Sequence, residues 1–174
     1  MAAPHGLKST SSPIQISARV AESAVGVFTE EEIALTLNVL DNEVFVITQI
    51  NIDVQAPTFP VVAGSASVSA SLSTTSRTSV GSISDSNVLG ASERIILTNA
   101  PLGPGVGFDR EDPLFSAISE DYLGIVATNN MFLSVQGFNN QLDTKIARVR
   151  VYGYRASASS SVYAALVQSE LLSQ

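Results

Sequence analysis

The chain has 174 residues, a formal net charge of −7 and no cysteine. That length suits one domain able to bury about 70% of its unfolded surface. The acidic balance argues against nucleic-acid binding by the domain as a whole, which needs a basic face, and without thiols there is neither a disulfide framework nor a thiolate metal site.

Residues 1–13, with Pro4, Gly6, Ser9, Ser11 and Pro13, offer no core-building face and read as a flexible arm. Residues 14–174 read as one domain. From Ile14 the pattern has period two, with Ile14, Ile16, Ala18 and Val20 against Gln15, Ser17 and Arg19, which predicts a half-buried strand. Thr29 and Glu32 have capping-box spacing, so Glu30–Glu32 is expected in a first helical turn or a solvated acidic loop. Ile33–Leu40 alternates again, and Asp41-Asn42-Glu43 reads as a turn. Val44–Val54, rich in β-branched residues, is the strongest strand signal. Val46, Ile50, Ile52 and Val54 are expected on one face, and the two runs flanking the turn are expected to form a hairpin. Pro57 and Pro60 end it.

Ser65–Ser73 alternates strictly, Ala66, Val68, Ala70 and Leu72 against an all-Ser face. Low-complexity disorder is the rival to a strand there. Small side chains on both faces suit close packing against another surface. Glu93–Asn99 is a further short strand. Ala100–Gly107 has loop composition, and Asp112-Pro113 looks like a helix start leading through Phe115 and Ile118. Tyr122–Ala127, Met131–Gly137 and Ile146–Arg155 read as strands, the last with Ala147, Val149 and Val151 inward and Arg148, Arg150, Tyr152 and Tyr154 outward. Ser161–Leu172 fits helix or strand. About eight short strands, little helix and no strand–helix–strand alternation predict an all-β antiparallel sandwich, with a jelly roll matching the count.

Chemistry is sparse. The only histidine, His5, lies in the arm, and a mobile terminus does not hold a general base within about 3 Å of a nucleophile. Asp109, Glu111 and Asp112, with Glu120 and Asp121 nearby, are a weak Ca²⁺ candidate; the spacing is not that of an EF-hand, and solvated loop charges explain it more simply. No cofactor, no small-molecule substrate and no enzymatic activity are expected. Gly103, Gly105 and Gly107 lack the Lys-Ser/Thr and the strand–loop–helix setting of a phosphate loop.

The one charge feature is Lys145, Arg148, Arg150 and Arg155, four of the nine cations in a short stretch. Arg148 and Arg150 with Tyr152 and Tyr154 form a basic and aromatic stripe fit for an acidic partner: a neighbouring copy, a lipid head group or nucleic acid. Because the remainder is acidic, pairing of this stripe with Glu30, Glu31 and Glu32 of another copy is its testable form. The alternative is a solvated sheet face with Arg lying over Tyr.

The short polar arm before Ile14, the strand pair Ile33–Val54, the Ser-rich strand after Pro60 and the closing hairpin Met131–Arg155, ending Arg-Val-Arg-Val-Tyr-Gly-Tyr-Arg, together resemble the small single jelly-roll shell proteins of icosahedral, membrane-containing viruses of bacteria and archaea. The resemblance is one of layout, not of a signature motif. It implies a virion location, contact with many copies of the same chain and with other virion proteins, and no catalytic residues. Contact with a membrane is compatible with it. No stretch approaches the ~20 apolar residues of a membrane span, and Met1–Ser12 lacks a signal-peptide core, so synthesis and folding in a host cytoplasm are expected. The rivals are a cellular binding module of adhesin or carbohydrate-binding type and a surface-filament subunit.

Overall fold

A computed structural model describes residues 6–60, 64–98, 105–111, 122–141 and 143–172. Ten strands are described, β1 (Leu7–Ser9), β2 (Ile14–Ala21), β3 (Thr29–Ala34), β4 (Glu43–Val54), β5 (Gly64–Ser73), β6 (Val88–Thr98), β7 (Gly105–Glu111), β8 (Gly124–Val126), β9 (Asn130–Phe138) and β10 (Ile146–Ala158), followed by one helix, α1 (Ser160–Leu172). The first sheet runs β2-β10-β4-β8, with β1 continuing along β10; the second runs β3-β9-β5-β6-β7. The pairings are nested. β2, β3, β4 and β5 pair antiparallel with β10, β9, β8 and β6 in turn, and successive pairs alternate between sheets. That rolled antiparallel ribbon is the jelly roll. Strands β1 and β7 are additions at its margins.

Nested pairing corrects two expected hairpins. The runs before and after Asp41–Glu43 lie in different sheets, β3 in the second and β4 in the first, and so do β9 and β10. Glu30–Glu32 belong to strand β3, neither helical turn nor loop, because the pairing partner β9 supplies a ladder for them. Leu35 and Leu37 are buried beyond the end of β3, and Val39–Asp41 forms a single 3-10 turn closed by Asn42 at φ 50. Leu7–Ser9, within the expected arm, pairs with Ala156–Ala158. Gly105 and Gly107 lie in β7 instead of a loop. His5, Asp112, Pro113, Phe115 and Ile118 fall outside the described residues.

The core lies between the sheets. Val20, Phe45, Ile47, Ile52, Val54, Val149 and Val151 from the first meet Ile33, Val68, Leu72, Met131, Leu133 and Val135 from the second. Each such side chain contributes about 1.5–3 kcal/mol by leaving water. The all-Ser face of β5 is half covered by the chain's own segment 74–87. Gly81 N donates to Ser71 Oγ at 2.8 Å, and Ser71 and Ser134 share a 2.9 Å hydroxyl contact. Arg77 staples the segment, donating to Asn87 Oδ1 at 2.7 Å and Asp85 Oδ2 at 2.8 Å. The surface that the small serines fit is therefore, at this end, internal.

The far ends of the strands are tied by a buried polar knot. Glu22 Oε1 accepts from Gly137 N at 2.6 Å and Oε2 from Lys145 N at 2.8 Å. Lys145, 2% exposed, donates from Nζ to Thr58 Oγ1 at 2.7 Å. Asn140 accepts from Thr58 N and donates to Ser67 O. Every polar group named here has a partner, which is what makes their burial tolerable.

Candidate functional site

A β-bulge decides what the first sheet presents to the outside. The register of β4 against β10 shifts between Tyr152 and Gly153: Tyr152 opposes Gln49, but Gly153 opposes Ile47. Thr48 is the extra residue, and its hydroxyl donates to Tyr152 O at 3.2 Å. An extra residue reverses the facing of everything beyond it on that strand. Val46 and Val44 therefore point outward, away from Ile50, Ile52 and Val54 with which the alternation grouped Val46, while Phe45 and Ile47 enter the core. The outward valines are covered by α1. Val162, Tyr163, Leu166 and Val167, one stripe of the helix, pack on Val44, Val46, Ala127, Tyr154, Ala156 and Ala158. Glu170 continues that stripe; its Oε1 accepts from Ala127 N at 2.9 Å, and desolvation raises its pKa against the lowering effect of hydrogen bonds from Ala127 and Thr128.

Tyr154 thus leaves the expected stripe. It is 6% exposed, under the helix. Lys145 is in the polar knot, and Arg155 turns to the rim, donating to Leu35 O and Thr36 Oγ1 at 3.0 Å each. What remains of the stripe is Arg148, Arg150 and Tyr152, and the register adds two flanking strands to it. Arg148 lies opposite Arg19 on one side and Asp53 on the other; Arg150 lies between Ser17 and Asn51; Tyr152 lies between Gln15 and Gln49. The result is an uncovered lattice of nine outward positions, three from each strand, with no aliphatic side chain. Residues of this lattice line an open hollow of 490 Å³. Arg148 Nη1 is 3.4 Å from Asp53 Oδ2, and Arg94 Nη1 is 3.4 Å from Asp53 Oδ1, so one exposed carboxylate is divided between two guanidiniums. Exposed pairs of this kind contribute little, and the face keeps its positive character. Sequence reasoning missed Arg19, Ser17 and Asn51 as members; their alternation was visible, but their neighbours were set by a register that was not.

The outer face of the second sheet is different in kind. Phe138, Ser67, Ile95 and Phe108 stand in one cross-strand row, and Leu97 and Val106 are partners in the next. Phe138 is 64% exposed, Val106 57%, Phe108 53% and Leu97 45%. No single run of the sequence announces this patch, because its members come from three strands.

The acidic candidates divide. Glu30 is engaged within the chain, accepting from Ser76 Oγ at 2.6 Å and Arg77 N at 2.9 Å, and Glu32 accepts from Asn130 Nδ2 at 2.9 Å. Glu31 is exposed on β3, which forms one margin of its sheet. Asp109 and Glu111 lie in strand β7 and not in a loop, and Asp112 is outside the described residues. Among the described residues no group of three or more His, Asp or Glu is placed to hold a metal ion.

The sequence matches no protein-family model and no curated protein. Among solved structures, one from Desmodium yellow mottle tymovirus is 10% identical, with 85% of this chain and 87% of that chain covered, at a TM-score of 0.31. The jelly roll is defined by this chain's own nested strand order, independently of that likeness.

Proposed function

We propose that the chain is a structural protein of a virus shell, made in the host cytoplasm and assembling with many copies of itself in the virion. The observation that supports this reading best is the apolar patch of Ile95, Leu97, Val106, Phe108 and Phe138. Soluble monomers rarely expose large apolar patches, and four large apolar side chains 45–64% exposed on one sheet face, three of them on the paired strands β6 and β7, support a contact there. The occupant proposed for it is another copy of the chain. The low proportion of charge in the chain, 14%, supports that choice, since neutral surface costs less to desolvate against an identical neighbour than charged surface does.

The jelly-roll topology agrees with a shell role without requiring it, because the same fold serves lectins and cupins. The layout's resemblance to single jelly-roll shell proteins of membrane-containing viruses points the same way. On this reading Glu31, exposed on the margin strand β3, remains the member of Glu30–Glu32 most available to a neighbour. Electron microscopy of the purified protein, with light scattering for mass, tests the proposal. Closed particles are expected. A monomer that persists at high concentration would reject it, and fibres would favour the filament reading.

A further inference from the structure

We propose that the outer face of the first sheet, between Arg19, Arg148 and Arg150, is a binding site for an acidic saccharide, its carboxylates held by the guanidiniums. The inference goes beyond the shell reading and does not depend on it. It starts from a local conflict. Arg19 and Arg148 occupy directly opposed positions on β2 and β10, and Arg150 follows two residues along the same face. Like charges directly opposite one another on a sheet are destabilising. A chain with nine cations and sixteen acids has no shortage of acidic residues to set there. Its only acid on this lattice, Asp53, is also shared with Arg94. Where a sequence breaks a stability rule with no local gain, a functional site is the expected reason.

The chemistry of the lattice selects the ligand. The planar fork of a guanidinium meets two oxygens at once, of a carboxylate as of a phosphate, and the neutral hydroxyl and amide groups beside it favour a carboxylate carried on a sugar over a bare phosphate. Ser17 and Asn51 flank Arg150, and Gln15 and Gln49 flank the half-buried Tyr152 one row further on, so neutral donors and acceptors suited to sugar hydroxyls adjoin the guanidiniums. The hollow meets aliphatic carbon only at Ala18 and Val149, which offers little to the apolar residues of a peptide. The hollow of 490 Å³ is open, as an extended saccharide requires. The helix α1 covers only the other half of this sheet.

The test is calorimetric titration of the full chain with trigalacturonate, alongside maltotriose, inorganic phosphate and triglutamate. Saturable binding of trigalacturonate is expected, with at least a tenfold loss of affinity in Arg150→Gln. Maltotriose and phosphate should bind at least tenfold more weakly. Arg19→Gln should weaken binding while raising the melting temperature, because it relieves the repulsion at Arg148. Phe108→Ser, on the opposite sheet, should bind as the unmodified chain does, whatever it does to assembly. No saturable binding, equal binding of phosphate or triglutamate, or an unaltered affinity in Arg150→Gln would each overturn the assignment.

Discussion

The outer face of the first sheet has two halves that share the same two strands and have opposite fates. Beyond the bulge at Thr48, β4 and β10 turn Val44, Val46, Tyr154, Ala156 and Ala158 outward, and α1 lies over them. Before it, the same strands present Gln49, Asn51, Asp53, Arg148, Arg150 and Tyr152 to solvent. One extra residue separates a covered apolar surface from a bare polar one. The comparison teaches that the facing of a long strand is not one property but two, joined at the place where the ladder slips.

The largest effect should come from the covered half. Tyr154→Ala is expected to cost about 3–5 kcal/mol, as for other buried aromatic residues, whereas Tyr152→Ala should cost under about 1 kcal/mol. Urea unfolding of the two variants reads the contrast; equal losses would mean that the helix does not cover Tyr154. The boundary comes next. A Cβ on Gly153 would collide with the Val46 carbonyl and stand 2.8 Å from the Phe45 ring. The carbonyl belongs to the backbone and cannot turn away, so Gly153→Ala is expected to cost about 1–3 kcal/mol as an overpacking change. A neutral result would show that the bulge is free to move.

The latch of the covering helix should respond to pH. Burial raises the Glu170 pKa above its ordinary value of 4.5. A carboxyl with a raised folded-state pKa binds its proton more tightly in the folded protein. Its contribution is therefore complete below the unfolded value and is lost as pH climbs through the folded one. Melting temperatures from about pH 4 to about pH 8 should accordingly fall more for the unmodified chain than for Glu170→Gln. Parallel curves would contradict the burial argument. The smallest effect belongs to the bare half: Arg150→Ser should change stability by no more than about 0.5 kcal/mol, and a larger loss would make that residue structural.

Much of this was legible in advance, and the failures have one cause. The strands around Ile14, Val44, Ser65, Met131 and Ile146 declared themselves through period-two alternation, which is local. What alternation cannot carry is partnership. In a nested ribbon most consecutive strands go to different sheets, so Ile33 and Val44 looked like a hairpin across Asn42 and are not one. The bulge at Thr48 left no mark in a run of β-branched residues, and that misplaced Val46. In β10 the alternation of Tyr154 with Tyr152 was correct, but the helix that buries Tyr154 came from a tail whose sequence suits either helix or strand. The apolar patch was invisible for the same reason, since Phe138 and Phe108 meet only through Ser67 and Ile95.

Sedimentation velocity on the unmodified chain and on Phe108→Ser, under identical conditions, bears most directly on whether these molecules join through the apolar face of the second sheet. A fast-sedimenting assembly is expected for the former and a folded single chain for the latter. Two identical monomer boundaries, or two identical assemblies, would contradict it.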